Sequence, residues 1–356
     1  MGLQTSGQIS LSQVNSELGN SASAQISLGG SAVRGLFGRA SGSVSMSHGY
    51  GASNGTWLGS RGLFAGGAAS GGMWWQPPTY MTAIHYITIA SASNSSSFGN
   101  LSQARSSMSG ASDGSRGVFS GGNNGGATSL MDYVTVASTG NASSFGNHIE
   151  SFTNSGACSN GARGVFAQSV GAGGGGMMGP PPAAAIMEYI TIASTGNATS
   201  FGTTILSDSS GGSGCSDGTR GLLAGSGLQY ITIASTGNAT NFGNAQGSNT
   251  QYTAAISGGS RGVMARAVYS GPSLIDYVNI SSTGNATRFG DLISYRQGQS
   301  AVSNDVRGVF GPGDSSNGYV QIFMDYITIA STGNAVLFGH YSPTSSMVAT
   351  GGLSGA

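Results

Sequence analysis

A fourteen-residue phrase returns six times along the chain, and it constrains the fold more than any other feature. Residues 189–202 read YITIASTGNATSFG, and close copies begin at Tyr230 and Tyr326, with looser copies elsewhere. The tyrosines that anchor the six copies are Tyr86, Tyr133, Tyr189, Tyr230, Tyr277 and Tyr326, at spacings of 47, 56, 41, 47 and 49 residues. Repeats of this length are typical of proteins in which each unit completes its hydrophobic core by packing against its neighbours.

Two further anchors accompany each tyrosine and define six complete units. An Arg-Gly pair followed by apolar residues precedes the tyrosine, and its arginines are Arg61, Arg116, Arg163, Arg220, Arg261 and Arg307. A Phe-Gly pair comes after the tyrosine, and its phenylalanines are Phe98, Phe145, Phe201, Phe242, Phe289 and Phe338. The regular order of the three anchors indicates a single repeated structural unit.

The residue pattern within a unit has the period of a β-strand. Residues 132–139 (DYVTVAST) place Tyr133 and Thr135 on one face and Val134 and Val136 on the other. A Gly-Gly pair ends the preceding strand at residues 116–122, where glycine allows a left-handed backbone. The Thr-Gly-Asn sequence after the tyrosine strand predicts a tight turn, which glycine and asparagine favour because both tolerate the left-handed conformation.

The remaining strands complete a four-stranded unit. The Phe-Gly segment predicts a third short strand, and the serine-rich stretch at residues 101–115 predicts a fourth, which ends in a turn before the next Arg-Gly pair. Four short antiparallel strands in roughly 45 residues are typical of one blade of a β-propeller.

Composition argues against several classes of function. The 356 residues include 64 glycines, and 12 arginines without any lysine balance 12 acidic residues. A nucleic-acid partner would call for a basic stripe, which a net charge near zero does not provide. No apolar run approaches the ~20 residues that cross a bilayer, and the first residues lack the pattern of a signal peptide. We therefore expect neither nucleic-acid binding nor membrane insertion.

The two cysteines hold one position in successive units. Cys158 and Cys215 each lie five residues before an Arg-Gly pair, where other units place Ala111, Ile256 and Val302. This register indicates a small apolar position in a strand rather than a metal ligand. Equivalent atoms of neighbouring units are expected to lie too far apart for the ~7 Å limit between the Cα atoms of a disulfide.

The repeated unit resembles the kelch repeat, with an apolar strand ending in Gly-Gly, a strand with a tyrosine, and an aromatic residue about a dozen positions later. Phe-Gly stands where kelch repeats have tryptophan, and the resemblance covers roughly residues 56–350. It implies a six-bladed β-propeller. The alternative is a β-solenoid or an intertwined fibre, because stacked repeats of those kinds also bury a continuous core. Insertions of up to about 15 residues favour blades over uniform coils. The Ser/Gly-rich tail, residues 343–356, is expected to add a strand to the first blade and close the ring.

The phrase itself, together with Arg-Gly-[Val/Leu]-Phe, is similar to repeats of bacteriophage tail and tail-fibre proteins. Residues 7–19 (GQISLSQVNSELG) also resemble the leader of many such proteins. The resemblance implies a virion protein, located in the tail, whose residues 1–55 form an attachment segment and residues 56–356 the propeller. Within the attachment segment, the sequence predicts a short helix over residues 12–18 with Ser12 as its N-cap.

Reactive residues that would indicate an enzyme are not found in the sequence. Four units carry an acid before the tyrosine, namely Asp132, Glu188, Asp276 and Asp325, and the other two carry His85 and Gln229. Acids repeated around a ring indicate architecture, since a catalytic pair needs two carboxylates in one pocket. Arg116 and Asp132 lie at opposite ends of a hairpin about 13 Å long, so we predict that they do not pair. We expect the arginines to bind backbone carbonyls or pack between blades. We also expect no catalytic residue, no metal and no cofactor.

Departures from the repeat point to a binding surface instead. The connection between the Arg-Gly strand and the Tyr strand is long in the first and third units, at residues 68–83 and 171–185. These loops are expected to emerge at one end of every blade, where binding residues commonly lie. The candidate binding residues are Trp74, Trp75, Tyr80, Met177 and Met178. Aromatic pairs suit both sugars and protein partners.

The sequence thus predicts a non-enzymatic virion protein that presents a host-binding surface on its propeller loops. Its expected partners are other tail subunits, further copies of itself, and a host surface glycan or protein. Two alternatives stay open: a cement protein between virion subunits, and a propeller enzyme that acts on glycans.

Overall fold

A computed structural model shows that the repeats build a β-propeller of six blades. The structure describes residues 10–17, 21, 23, 25–28, 33, 61–69, 78–153, 156–168, 186–205, 212–225, 227–246, 252–267, 271–314, 320–341 and 350–354. The chain divides into two compact units, Met1–Gly59 and Ser60–Ala356, and the blades belong to the second. The predicted propeller is therefore confirmed, and the alternative of a solenoid or fibre is wrong.

Each blade is a four-stranded antiparallel sheet whose strands are, from the inside outward, the inner, Arg-Gly, Tyr and outer strands. In that order, blade 1 consists of β28 (Gly351–Ser354), β1 (Arg61–Ala65), β4 (Ala83–Thr88) and β5 (Ser96–Asn100). Blade 2 consists of β6 (Ser109–Ser112), β7 (Arg116–Ser120), β8 (Thr128–Thr135) and β9 (Ser143–Phe152). Blade 3 consists of β10 (Gly156–Ser159), β11 (Arg163–Ala167), β12 (Ile186–Thr191) and β13 (Thr199–Thr203). Blade 4 consists of β14 (Ser213–Ser216), β15 (Arg220–Ala224), β16 (Leu228–Thr232) and β17 (Thr240–Gly243). Blade 5 consists of β18 (Tyr252–Gly258), β19 (Arg261–Arg266), β20 (Leu274–Asn279) and β21 (Thr287–Asp291). Blade 6 consists of β22 (Ala301–Ser303), β23 (Arg307–Phe310), β26 (Phe323–Thr328) and β27 (Val336–His340). Two short ribbons, β2 (Ala68–Ala69) with β3 (Thr79–Tyr80) and β24 (Gly313–Asp314) with β25 (Val320–Gln321), extend the connections of blades 1 and 6.

The serine-rich stretch forms the predicted fourth strand, but that strand belongs to the next blade along the chain. Inner strand β6 pairs with β7, with Ala111 opposite Val118. A tight turn joins the two strands, because the Asp113 carboxylate accepts the backbone N–H of Arg116 at 2.6 Å. A local turn of this kind ties the inner strand to the Arg-Gly strand after it rather than to the outer strand before it.

The ring closes in the same way, with an inner strand that does not come from the repeat of its own blade. The first blade takes its inner strand from the C-terminal tail, in the form of β28. This strand pairs antiparallel with β1, with Leu353 opposite Leu63. The inner strands contact one another in succession around the ring, β28 included. Closure of the ring by residues of the tail is therefore confirmed.

The hydrophobic core lies between the blades. In blade 2, Val134 of the Tyr strand and Val136 just after it are buried, whereas Thr135 is exposed, as the alternation predicts. Each core cluster joins side chains of two neighbouring blades, so that Phe145 of blade 2 packs with Ile190 of blade 3. No blade can bury its apolar faces alone, so the packing between blades stabilises the ring.

The N-terminal unit contains one described helix, α1 (Leu11–Glu17). Its N-cap is Ser10 rather than the predicted Ser12. The Gln13 backbone N–H donates to the Ser10 hydroxyl at 3.2 Å, and the Gln13 side-chain oxygen accepts the Ser10 backbone N–H at 2.7 Å. This reciprocal capping box uses the glutamine three residues after the cap, whereas the residue three positions after Ser12 is Asn15. Among the described residues, no helix has the length and apolar character needed to cross a bilayer.

Candidate functional site

The arginine of each Arg-Gly pair crosses the seam, the contact surface between two neighbouring blades. Arg116 donates from Nη1 to the backbone oxygens of Ile192 at 3.2 Å and Ala193 at 2.7 Å in the next blade. Its guanidinium also lies 4.5 Å from the ring centroid of Tyr133 in its own blade. The other five arginines make the same contacts: Arg61, Arg163, Arg220, Arg261 and Arg307. The predicted role of the arginines is confirmed.

The turn after each Tyr strand, which reads Thr-Gly-Asn in five copies and Ala-Ser-Asn in the first, docks on the outer strand of the preceding blade. In blade 2, the backbone N–H of Gly140 donates to Phe98 O at 2.9 Å, and that of Ala142 donates to Asn100 O at 2.8 Å. The Asn141 side-chain oxygen accepts the Asn100 N–H at 3.0 Å. An asparagine makes this last contact in all six seams, namely Asn94, Asn141, Asn197, Asn238, Asn285 and Asn334. The turn therefore covers the exposed edge of its neighbour's sheet.

The turn does not take the predicted left-handed conformation. Gly140 has no positive φ, whereas Gly121 and Gly122 of the Gly-Gly pair do, at 64° and 113°. The connection between the Tyr strand and the outer strand is a wide loop rather than a tight hairpin, because its backbone N–H groups bind the neighbouring blade. The glycine of the Phe-Gly pair is the one that must lack a side chain, since a Cβ on Gly99 would lie 2.0 Å from Gly140 O.

The residue before the tyrosine also makes contacts across a seam in blades 1 to 4 and 6, whereas Asp276 of blade 5 pairs with Arg266 of its own blade at 2.6 Å. Asp132 of blade 2 accepts the backbone N–H of Ser102 at 3.1 Å and pairs with the buried Arg105 at 2.9 Å, both from the segment after outer strand β5. Asp325 of blade 6 pairs with the equally buried Arg296 in the same way. Asp132 and Arg116 do not pair, as predicted. Loss of either partner of such a pair would leave an uncompensated charge buried at the seam.

Blade 3 has a different arrangement, which the repeat pattern does not predict. Its acid, Glu188, is hydrogen-bonded to His148 Nδ1 at 2.8 Å, where the acids of blades 2 and 6 bind an arginine. Glu188 also accepts the backbone N–H of Ile149 at 3.0 Å. His148 Nε2 is hydrogen-bonded in turn to the hydroxyl of Ser120, and the side chains of all three members are buried. Burial by itself would raise the pKa of Glu188, but the hydrogen bonds from His148 and Ile149 outweigh burial and lower that pKa. Ser120, His148 and Glu188 together form the serine cluster.

The seam between blades 6 and 1 depends on a histidine. His85 stands at the position that an acid holds in four other blades, and its ring centroid lies 4.8 Å from that of Tyr341 in blade 6. Both side chains are buried. Burial lowers the pKa of His85, because the imidazolium form would lose hydration. The histidine of this seam is therefore neutral near pH 7.

Apolar side chains are exposed at the loop end, the end of the propeller where every Arg-Gly strand ends and every Tyr strand begins. Ile149, Ile205 and Ile293 hold one repeat position, four residues after the phenylalanine of Phe-Gly, and are 57%, 50% and 45% exposed. Their backbone N–H groups are bound by Glu188, Gln229 and Asp325 across the seams. The main chain of this isoleucine rim is thus fixed while its side chains face outward.

Of the predicted binding residues, only Tyr80 lies within the described part of the chain. It belongs to strand β3 at the loop end, and its hydroxyl donates to Asn123 of blade 2 at 3.1 Å. The contact links the connections of two blades. Trp74, Trp75, Met177 and Met178 lie outside the described residues.

The cysteines have the environment that their register predicts. Both are buried and free, on the equivalent inner strands β10 and β14. Burial raises the pKa of Cys158 to about 12, which keeps its thiol protonated and unreactive. Among the residues that the structure describes, no three histidine, cysteine or acidic side chains gather as a metal site.

Comparison with known proteins adds no relative: no known family matches the chain, and no curated protein matches its sequence.

Proposed function

We propose that the protein is a non-enzymatic component of a bacteriophage tail or tail fibre. The propeller is a rigid scaffold, and its loop end binds the host surface. The resemblance of the repeated phrase and of residues 7–19 to tail proteins supports the virion assignment. The likeness of the repeat to kelch blades is consistent with a binding role, since loops on rigid scaffolds commonly carry recognition.

The isoleucine rim is the observation that supports this proposal most directly. Charged residues at the seams are used for contacts between blades, whereas three isoleucines at equivalent positions stay about half exposed. Apolar side chains on a fixed main chain lose little conformational entropy when a partner covers them. The long connections at residues 68–83 and 171–185 join strands at the same end and carry Trp74, Trp75, Met177 and Met178 in sequence.

A second candidate is a cement protein between virion subunits, and one observation favours it. The outer strand of blade 6 begins with Val336 and Leu337, which are 49% and 52% exposed. The other outer strands carry polar residues at these two positions, as Ser96 and Ser97 do in blade 1. An apolar pair on the outer circumference of one blade suits lateral contact with a neighbouring subunit.

Particles that carry variant chains would separate the two functions. The loop-end variants are Trp74→Ala with Trp75→Ala, and the rim variant Ile149→Thr, Ile205→Thr and Ile293→Thr. Val306→Thr is a matched control, because Val306 is 66% exposed in the turn before Arg-Gly strand β23, at the opposite end. Host binding predicts that both loop-end variants lower adsorption to host cells while the control does not.

The cement function predicts a different outcome. Val336→Ser with Leu337→Ser would then lower the yield or the stability of particles and leave the adsorption of intact particles unchanged. Normal adsorption by both loop-end variants, in particles that contain the chain, would contradict the host-binding proposal.

A further inference from the structure

We propose that Ser120 is an activated nucleophile that accepts an acyl group from a small ester, with His148 as its base and Glu188 as a positioning residue. This inference goes beyond the proposed binding function. It rests on two residues that depart from the repeat, Ser120 and His148, and on the repeat acid Glu188, which the fold brings into one hydrogen-bonded series with them.

Two members of the serine cluster, Ser120 and His148, are unusual at their repeat positions, whereas Glu188 is the acid that four units carry before the tyrosine. Ser120 ends its Arg-Gly strand, where the other five blades have Ala65, Ala167, Ala224, Ala265 and Gly311. His148 stands three residues after the phenylalanine of Phe-Gly, where the others have Leu101, Thr204, Ala245, Leu292 and Tyr341. The propeller therefore does not need a hydroxyl at the first position or an imidazole at the second, since five blades fold without them.

The order of the hydrogen bonds is the order that activates a serine. His148 Nδ1 lies 2.8 Å from the Glu188 carboxylate, which only accepts, so we assign the proton of the neutral imidazole to Nδ1. The Nε2 lone pair then faces the Ser120 hydroxyl. A hydroxyl bonded to an imidazole that a carboxylate orients is the arrangement of nucleophile, base and orienting group found in acyl-transfer sites.

Aromatic rings enclose the cluster. The His148 ring packs edge-on against Phe152 and Phe166, with centroid distances of 4.5 and 5.1 Å. Phe152 also fills the space beside Gly121, the residue after Ser120, where a Cβ would lie 2.6 Å from the ring. An apolar enclosure strengthens the interaction between imidazole and carboxylate. Ser120 is fully buried, and Phe152 ends outer strand β9 at the loop end, so we expect its ring to limit the size of an ester that can reach Ser120.

The reaction that these groups support is a single acyl transfer. Ser120 Oγ attacks the ester carbonyl while its proton passes to His148 Nε2; the ester C–O bond then breaks, and the departing alkoxide takes that proton from His148. The products are acyl-Ser120 and an alcohol. The backbone N–H groups of Gly121 and Gly122, the nearest donors along the chain, already bind Leu130 O and Phe152 O. Because neither is free to stabilise an oxyanion, we expect both the attack on the ester and the hydrolysis of acyl-Ser120 to be slow, so that only an ester with a good leaving group reacts.

The test uses the full chain and p-nitrophenyl acetate as the probe. The chain has no lysine, which removes the commonest competing surface nucleophile. We expect release of one equivalent of p-nitrophenol and one acetyl group on Ser120, located by peptide mass spectrometry. Ser120→Ala, which installs the residue of four other blades, should abolish this acetylation. His148→Gln should slow it by about 100-fold, the usual contribution of a general base. Phe152→Ala should speed it by opening the enclosure.

A positioning role for Glu188 has its own readout. Glu188→Gln copies Gln229 of blade 4, which keeps the seam bond to a backbone N–H at 2.9 Å. We expect this variant to fold normally, to react more slowly, and to shift the pH profile of acetylation to lower pH, because the imidazole loses its carboxylate partner. The proposal is overturned if neither the natural chain nor a folded Phe152→Ala variant becomes acetylated on Ser120. It is also overturned if His148→Gln reacts at the natural rate.

Discussion

Two glycines of the repeated phrase, Gly99 and Gly140, provide a sharp test of how the seams are built. They face each other across the seam between blades 1 and 2. A Cβ on Gly99 would lie 2.0 Å from Gly140 O and 2.4 Å from its carbonyl carbon, whereas a Cβ on Gly140 would have no atom within 4 Å. The prediction is that Gly99→Ala is strongly destabilising and Gly140→Ala is not.

The magnitude follows from the bonds that the clash would disrupt. Relief of a 2.0 Å contact requires the turn of blade 2 to retreat by roughly 1 Å or more, to reach ordinary contact distance. Three hydrogen bonds of 2.8 to 3.0 Å join that turn to β5, and a shift of this size breaks them. At about 1 kcal/mol for each bond, Gly99→Ala should cost about 3 kcal/mol of unfolding free energy. At roughly 2 °C per kcal/mol for a large domain, Tm should fall by about 6 °C.

Gly140→Ala is the matched control at the same seam. Its φ is not positive, so alanine can take its conformation, and the unfolded chain loses some freedom. We expect unchanged stability or a gain of up to about 1 kcal/mol. Thermal unfolding followed by circular dichroism, with urea unfolding for the free energies, measures both variants. Equal effects of the two substitutions, or a larger loss for Gly140→Ala, would refute this description of the seam.

Three further predictions concern a seam, a pH dependence and the closure of the ring. Arg116→Met should lower the free energy of unfolding by about 2 kcal/mol in urea titrations, because two carbonyls of the next blade lose a half-buried charged donor and Tyr133 loses its cation–π partner. His85 has a lowered pKa in the folded state, so the stability it contributes is complete above the unfolded-state value of about 6.5 and is lost as pH falls through the lower folded value. His85→Gln, which copies Gln229 of blade 4, should reduce the fall in stability between about pH 7.5 and 5, and an unchanged fall would contradict the assignment. Leu353→Ala should lower Tm through a loss of about 2–5 kcal/mol, because Leu353 is buried in the core that the closing strand shares with blade 2; an unchanged Tm would mean that β28 does not hold the ring closed.

Much of the fold can be predicted from the sequence, because strand period and turn chemistry are local. The alternation of Val134 and Val136 with Tyr133 and Thr135 identifies a strand with one buried face. Six copies of such a strand, each in a four-stranded unit, are enough to favour blades over coils. The role of the arginines can also be inferred, since a hairpin places Arg116 at the opposite end from the acid of its own blade.

Other features depend on which residues the ring brings together. The Thr-Gly-Asn sequence predicts a tight hairpin, but the partners of this turn are on the preceding blade, and Asn141 binds Asn100 across 41 residues of sequence. The cap of α1 lies two residues before the predicted one, and there the needed signal, glutamine three residues after Ser10, is present in the sequence.

The serine cluster shows most clearly the difference between what local sequence predicts and what contacts between blades create. Alignment of the six units in the sequence shows that Ser120 and His148 depart from their repeat positions and that Glu188 is the acid expected before the tyrosine. Their meeting depends on the packing of blade 2 against blade 3, because Ser120 and His148 are 28 residues apart and His148 and Glu188 are 40 residues apart on two different blades. Local propensity sets the strands, turns and their number. The packing of one blade on the next decides the contacts of their polar side chains, because each blade buries its apolar face only against its neighbour.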